Sequence, residues 1–341
     1  MPSAALPEEL HQIARQAARS GRRPAPPRTA TIHGLGHYLP SEIVPNSDIA
    51  ERIGVDDHWI VKRTGIHARR RAAANEGTTD MAVFAARRAL QDAGTEAGEL
   101  DYVIVATMSA DEITPNCAPR VAHAIGADHA AAYDVGAACT GFLAGLQQAA
   151  AMIEVGRAER ILLIGAEKLT RITDFDDKKT GMLFGDGAGA VVLGPSDSDS
   201  GIGPIDLTAD GSLGDTIVAT PEDPWIRMDG ISTFKVAVKR LSESTIWAVS
   251  SAEIELDDID LFVYHQANSR IIKAVGERLE LDSSKVADYL AQIANTSAAS
   301  LPLTLSLSRE DGRLRAGHKV LIAAIGAGFT WGAGVMEWTA S

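Results

Sequence analysis

Leu100-Asp101-Tyr102-Val103-Ile104-Val105 and, later in the chain, Ile259-Asp260-Leu261-Phe262-Val263-Tyr264 are two versions of one phrase. Each sets an apolar run behind a single aspartate, the pattern of a buried strand entered from a polar turn. Asp101 and Asp260 stand 159 positions apart. The correspondence continues outward. Gly156-Arg157 precedes the strand-like Ile161-Leu162-Leu163-Ile164, and Gly312-Arg313 precedes Val320-Leu321-Ile322-Ala323, at separations of 156 and 159. Upstream, the helical stretch 82–90 corresponds to 234–241. In the first copy, Met81, Phe84, Ala85 and Leu90 repeat on one face and predict a helix over 80–93, closed by Gly94. One α/β unit used twice is implied. Periodic α/β chains generate weak self-similarity by chance, but three landmarks holding one offset within three residues argue for a true repeat.

The 341 residues, 45% hydrophobic and 23% charged, suffice for a large core in one domain or two intimate halves. A net charge of −13 excludes broad nucleic-acid binding, which needs a basic footprint. No apolar run of membrane-spanning length occurs and the N-terminus has no secretory core, so no membrane role is expected and the cytoplasm is the default location. Residues 1–28, with a short helical pattern over 7–19 and the Pro-rich run Pro24-Ala25-Pro26-Pro27, read as a mobile extension. Its arginines allow a transit peptide, against which Glu8 and Glu9 argue. The remainder divides into halves at 29–195 and 196–341.

The offset also carries chemistry. Cys139, in Gly136-Ala137-Ala138-Cys139-Thr140-Gly141, and Asn295, in Ile293-Ala294-Asn295-Thr296-Ser297-Ala298, differ by 156. Each precedes small residues and a helix-compatible stretch, so a pseudo-twofold arrangement would aim both helix starts into one cavity. The positive end of a helix dipole is expected to lower the Cys139 pKa and favour the nucleophilic thiolate. A buried inert thiol is the plainer reading of a random cysteine, and Cys117 receives it. His265 directly follows an apolar strand, at the edge where α/β sheets hold ligands. The other histidines, including His33, His37 and His123, read as structural. Phe184-Gly185-Asp186-Gly187-Ala188-Gly189-Ala190 superficially fits a dinucleotide fingerprint, with Asp206 placed 21 residues beyond Gly185. A strand pattern follows it where a helix is required, so close strand packing is preferred over phosphate binding. The two cysteines have no metal-ligand spacing, and no metal is expected.

From about Ala30 onward the chain resembles β-ketoacyl-acyl-carrier-protein synthase III of the thiolase superfamily. Asp57-His58-Trp59-Ile60-Val61-Lys62-Arg63-Thr64-Gly65-Ile66 is similar to the family's D-E-W-I-x-x-R-T-G-I, and Ala137-Ala138-Cys139-Thr140-Gly141-Phe142 to its A-A-C-A-G-F. His265-Gln266-Ala267-Asn268 and Asn295-Thr296-Ser297-Ala298-Ala299-Ser300 match H-Q-A-N and N-T-S-A-A-S. The resemblance implies an α/β, five-layered α-β-α-β-α fold, a homodimer, and acyl-CoA and acyl carrier protein as partners. It implies no cofactor, acyl-CoA being a substrate. Cys139, His265 and Asn295 would form the catalytic triad, and the Cys139 and Ala327 backbone amides the oxyanion site. Trp59 would stack on adenine, Arg63 and Arg171 would address the nucleotide, and Asn268 the pantetheine. Lys235, Arg270 and Lys273 match carrier-protein contacts, with solvated surface charge as the alternative.

Some positions depart from the pattern. Ile325 stands where an aromatic ring is usual, Tyr264 replaces a proline, and Ala294 and Ala327 replace glycines. Glu277 falls at a position that is basic in some members. Thr114 stands where some members place an aromatic that caps the acyl pocket across the dimer. Together these suggest a wider pocket around Thr114 and Ile325 and a specialised starter. Two other readings compete with decarboxylative condensation: acyl transfer to an oxygen, nitrogen or sulfur nucleophile, and a silent partner subunit. Retention of both His265 and Asn295 favours condensation, because enolate stabilisation uses two donors.

Overall fold

The computed structural model describes residues 28–198 and 200–340. The expected helix over 7–19 and nearly all of the extension fall outside them. Arg28, its last residue, is a correction: it is docked, with Nη1 on Glu159 at 2.8 Å and Nε on the Ile153 carbonyl at 3.0 Å.

Two sheets carry the fold. The first contains β1 (Ala30–Tyr38), β2 (Tyr102–Ala106), β3 (Ala131–Val135), β4 (Ile161–Lys168) and β5 (Asp186–Pro195), in the order β1-β5-β4-β2-β3. The second contains β6 (Ile202–Ala209), β7 (Leu261–Tyr264), β8 (Lys319–Gly326) and β9 (Thr330–Glu337), in the order β7-β8-β9-β6. Read from opposite ends, these are one topology, with parallel pairing at one end of each sheet and antiparallel strands at the other. Tyr102 pairs with Ile161, and Leu261 with Val320, so the repeat of 159 positions is preserved as register. The counterpart of β3 is reduced to an isolated bridge between Phe262 and Val286.

The helices of two turns or more among the described residues are α1 (Asn46–Ile53), α2 (Asp57–Thr64), α3 (Thr78–Ala93), α4 (Cys117–Ile125), α5 (Gly141–Glu154), α6 (Gly230–Ser251), α7 (Ser269–Arg278) and α8 (Ser300–Glu310). Helix α3 starts two residues before its expected position, because Asp80 accepts from the Gly77 amide and closes the first turn. Gly94 ends it at φ 60°, as its sequence position suggests. Strand alternation then sorts side chains into layers. Val103 and Val105 face α3 and α4, while Ile104 faces the central pair α5 and α8. Val263 and Leu261 share that central core, whereas Phe262 and Tyr264 face α6 and α7. The result is the five-layered α-β-α-β-α fold expected from the sequence.

The glycine-rich segment packs strands, with no helix following it. A Cβ on Gly189 would lie 2.7 Å from the Leu303 backbone nitrogen, so β5 and α8 meet at the distance only glycine allows. Gly189→Ala is expected to lose about 1–3 kcal/mol by overpacking. A lowered melting temperature checks this, and an unchanged one would mean α8 can yield.

Candidate active site

The layers bring the C-terminal ends of the central strands together around a cavity of about 1130 Å³. Cys139, His265 and Asn295 all line it. Cys139 occupies the 3-10 turn Ala138–Thr140 that leads into α5, and Asn295 precedes the corresponding turn Ser297–Ala299 that leads into α8. The alanine directly before each of these residues has positive φ, 46° at Ala138 and 57° at Ala294, and Ser297 opens the second turn at 45° as Ala138 opens the first. With ψ at −161°, Ala294 occupies backbone space that is nearly exclusive to glycine.

Each side chain is aimed by its surroundings. The His265 amide prolongs β7 by donating to Ala323 at 2.8 Å. The following turn is clamped by Gln266, whose Nε2 donates to the Tyr264 and Ala287 carbonyls and whose Oε1 accepts from the Tyr289 amide. The Asn295 backbone is strapped to residues 183–185, its amide on Leu183 O and its carbonyl on the Gly185 amide, both at 3.0 Å. Its Oδ1 accepts from the Ser297 amide at 2.9 Å, which leaves the side-chain NH₂ as a donor. A Cβ on Gly326 would lie 2.8 Å from the Cys139 nitrogen, so the loop carrying Ala327 is pressed against the turn that holds Cys139. Ala327 lines the same cavity.

Burial sets the protonation states. His265 is 2% exposed, and its desolvation brings the imidazole down to about 3, so the ring is neutral. Nδ1 is buried without a partner, so a proton there would be an orphan donor and the neutral ring keeps it on Nε2. The expected lowering of the Cys139 pKa by the helix is opposed by burial. A helix does begin beside the sulfur, but burial pushes the thiol up to about 12, against the Ser297 hydrogen bond and aided by the charge of Glu167. Cys117, assigned a structural role, is buried under Thr79 and also pushed up to about 12.

The mouth is cationic. Arg63 stacks 3.9 Å from the centre of the Trp59 ring, and Lys178 approaches it at 5.1 Å. Lys179, Lys235 and Arg270 line the same opening. Asn268 lies there too, but its amide is engaged: Oδ1 caps α7 at the Arg270 amide and Nδ2 donates to the Arg63 carbonyl. Ile325 is on the wall. Three expected residues are not. Arg171 turns to the Ala110 carbonyl and Asp111. Burial raises that carboxyl, but the amides of Thr78 and Thr79 together with the guanidinium hold it at about 2. Thr114 is on an exposed loop, outside the cavity of its own chain. Lys273 forms an exposed i,i+4 pair with Glu277 at 3.7 Å. Sequence reading missed Lys178 and Lys179, since Asp176-Asp177-Lys178-Lys179 has the composition of an ordinary solvated loop. Among the described residues no cluster of His, Cys, Asp and Glu could hold a metal ion.

The family model for 3-oxoacyl-acyl-carrier-protein synthase III matches residues 133–211, and its C-terminal companion matches 249–338. β-Ketoacyl-acyl-carrier-protein synthase III of Geobacillus kaustophilus is 42% identical over 309 residues, covering 91% of this chain and 99% of that protein. The chain belongs to the 3-oxoacyl-acyl-carrier-protein synthase III family. The synthase III of Laribacter hongkongensis, at 44% identity, covers 91% of this chain and 99% of its own. Among solved structures, the Aquifex aeolicus synthase III superposes with a TM-score of 0.89 at 38% identity, covering 91% of this chain and all of that one. The priming β-ketosynthase of a polyketide pathway superposes at 0.90 with 34% identity, covering 94% and 99%. Synthase III relatives thus share the whole frame that aims the three side chains.

Two expectations follow from the site. An unfolded chain takes up the His265 proton near 6.5, whereas the folded chain resists until about 3, so its contribution to stability is complete above 6.5 and declines as pH falls through that window. His265→Gln should flatten that decline in a series of melting curves, and an unaltered slope would refute it. Ala294→Gly should relieve the strained turn and stabilise the protein by about 1 kcal/mol, read as a raised melting temperature.

Proposed function

We propose that this synthase III is an acyltransferase that loads an acyl group from acyl-CoA onto Cys139 and condenses it with a malonyl thioester of acyl carrier protein. The observation that carries the reading is the shared chamber: one partly buried thiol lines the same cavity as two buried, uncharged donors, His265 and Asn295. In the first half-reaction the Cys139 sulfur attacks the thioester carbonyl, the carbon–sulfur bond to CoA breaks, and the thiol proton leaves with the CoA sulfur. The backbone amides of Cys139 and Ala327 supply the oxyanion donors. In the second, loss of carbon dioxide leaves an enolate on the malonyl thioester, whose oxygen takes hydrogen bonds from His265 Nε2 and the Asn295 amide. The carbanion attacks acyl-Cys139, giving a 3-oxoacyl thioester and returning the sulfur. A neutral imidazole suits this role better than a base poised near pH 7, and the arrangement gives no preference to transfer onto an alcohol or amine.

Both substrates enter through one mouth. Trp59, Arg63 and Lys178 form a stacking and cationic site suited to the nucleotide end of CoA, Asn268 lies beside the pantetheine path, and Lys235 and Arg270 face an acidic carrier protein. No resident cofactor is needed. Among the described residues no helix is long and apolar enough to cross a membrane, and the reading places the enzyme with soluble acyl thioesters in the cytoplasm. A homodimer is supported by the outer edge of β3, which pairs with no other strand in the described chain, and by Ile113, wholly exposed beside Thr114. Pairing there would carry Thr114 towards the partner's acyl pocket. With Ile325 in place of an aromatic, the enzyme should prefer a starter larger than acetyl.

Cys139→Ala is expected to abolish the acyl adduct seen by intact-protein mass spectrometry. His265→Ala and Asn295→Ala should retain the adduct while condensation falls on the order of 10²–10³-fold each. An ester or amide product formed without carbon dioxide would overturn condensation, and a marked preference for acetyl-CoA would overturn the larger starter.

A further inference from the structure

Lys178 reaches Trp59 from a loop whose shape is set by two aspartates. Between β4 and β5 the chain makes two consecutive turns, 174–177 and 177–181. Asp174 shapes the first. Its carbonyl accepts from the Asp177 amide at 3.1 Å and its Oδ1 from the Asp176 amide at 3.1 Å. Asp177 shapes the second: its carbonyl accepts from the Gly181 amide at 2.8 Å, its Oδ1 from the Lys179 amide at 2.9 Å and its Oδ2 from the Thr180 hydroxyl at 2.8 Å. Lys178 and Lys179 are the residues that this second turn presents to the cavity.

Arg227, from the other half of the molecule, grips both turns. It opens the second strand of a short hairpin, Ile217–Val218 paired with Arg227–Met228, which lines the same cavity. Its Nη1 donates to Asp174 at 2.8 Å and lies 3.7 Å from Asp177, while Nε and Nη2 hold the two oxygens of Asp223 at 2.9 and 3.3 Å. The adjacent Ile226 amide donates to the Ile172 carbonyl at 2.9 Å, so backbone and side chain fasten the hairpin to the loop together. Arg52 of α1 holds the intervening Asp176 at 2.9 Å. An isolated surface ion pair contributes little, but a guanidinium engaged through all three of its nitrogens in one network fixes geometry.

We propose that Arg227 is a positioning residue for recognition of the acyl donor: by clasping Asp174 and Asp177 it fixes the turn from which Lys178 meets Trp59, and so completes the site for the nucleotide end of CoA. The Lys178 ammonium lies 5.1 Å from the ring centre at the end of a flexible stem, and holding its backbone narrows where that stem can reach. The guanidinium also balances three carboxylates beside an opening suited to phosphates. That second effect does not pass through Lys178, and the test separates the two. None of the contacts that Arg227 makes is to Cys139, His265 or Asn295. The inference rests on the proposed function only in taking this opening as the entry for the nucleotide end of CoA.

The test uses the full chain and two readouts. Binding of CoA itself is followed by titration calorimetry, and acylation of Cys139 by intact-protein mass spectrometry, from butyryl-CoA and from butyryl-pantetheine, which has no nucleotide. R227Q should weaken CoA binding and raise the half-saturating butyryl-CoA concentration about tenfold, while the limiting rate and the rate from butyryl-pantetheine stay within about twofold of wild type. R227K keeps the charge but cannot hold Asp223 and Asp174 in the same fork, so it should show most of the same loss. In a double-mutant cycle, R227Q should add little to K178A. R227K binding CoA as wild type does, or R227Q and K178A adding in full, would reduce Arg227 to a charge at the opening and overturn the positioning. An equal loss with butyryl-pantetheine would point to a disturbed hairpin and overturn it as well. If wild type binds CoA and R227Q binds it equally well, this inference alone fails. If wild type does not bind CoA and uses both donors alike, the nucleotide reading of the mouth fails and takes the inference with it.

Discussion

Desolvation is the force on which the chemistry of this molecule depends. Where the ends of two sheets meet, an imidazole, a carboxamide and a thiol line one cavity, the first two buried and the thiol partly so. Burial holds the imidazole neutral and keeps the proton on the thiol. Such a site stabilises little by itself. Its value is that donors aimed in advance act at full strength on a charge that arises only during reaction.

That site exists because the chain builds the same unit twice. Duplication places one helix start opposite another, and the two turns have diverged to carry a sulfur and a carboxamide. The matching positive φ of Ala138 (46°) and Ser297 (45°), each the first residue of its turn, shows how alike the turns remain. Small residues make the approach possible, since Gly326 and Gly165 abut the opposing turns at distances that exclude a side chain.

Much of this was legible in the sequence. The offset of 159 positions survives as strand register, the alternating apolar residues of each strand predict which core they enter, and the helix over Thr78–Ala93 has its end written in Gly94. The three candidate side chains are identifiable from a strand's end and from the two helix starts, although the turns align at 159 positions, which makes Ala298 the counterpart of Cys139 and leaves Asn295 just ahead of its turn. What was not legible depends on contacts between remote segments. Arg171 carries the right charge for an anion, but Asp111 captures it. Lys178 reaches Trp59 only because a loop folds back over α2. The thiol's protonation depends on how deeply the turn is enclosed, which a local helix-dipole argument leaves out. Asn268 has the expected identity, yet its amide is already committed as a helix cap.

The cations at the mouth have a consequence for encounter kinetics. Arg63, Lys178, Lys179, Arg227, Lys235 and Arg270 outnumber Asp177, Asp215 and Asp229 around the opening, in a chain whose overall charge is −13. An anionic visitor meets repulsion from the net charge of the chain and attraction at this opening, so field lines steer arrivals towards it. Such guidance weakens as added electrolyte shortens the screening length, whereas the events at the buried groups scarcely register it. Capture and conversion are therefore separately tunable, one by the ionic medium outside and the other by the packing within.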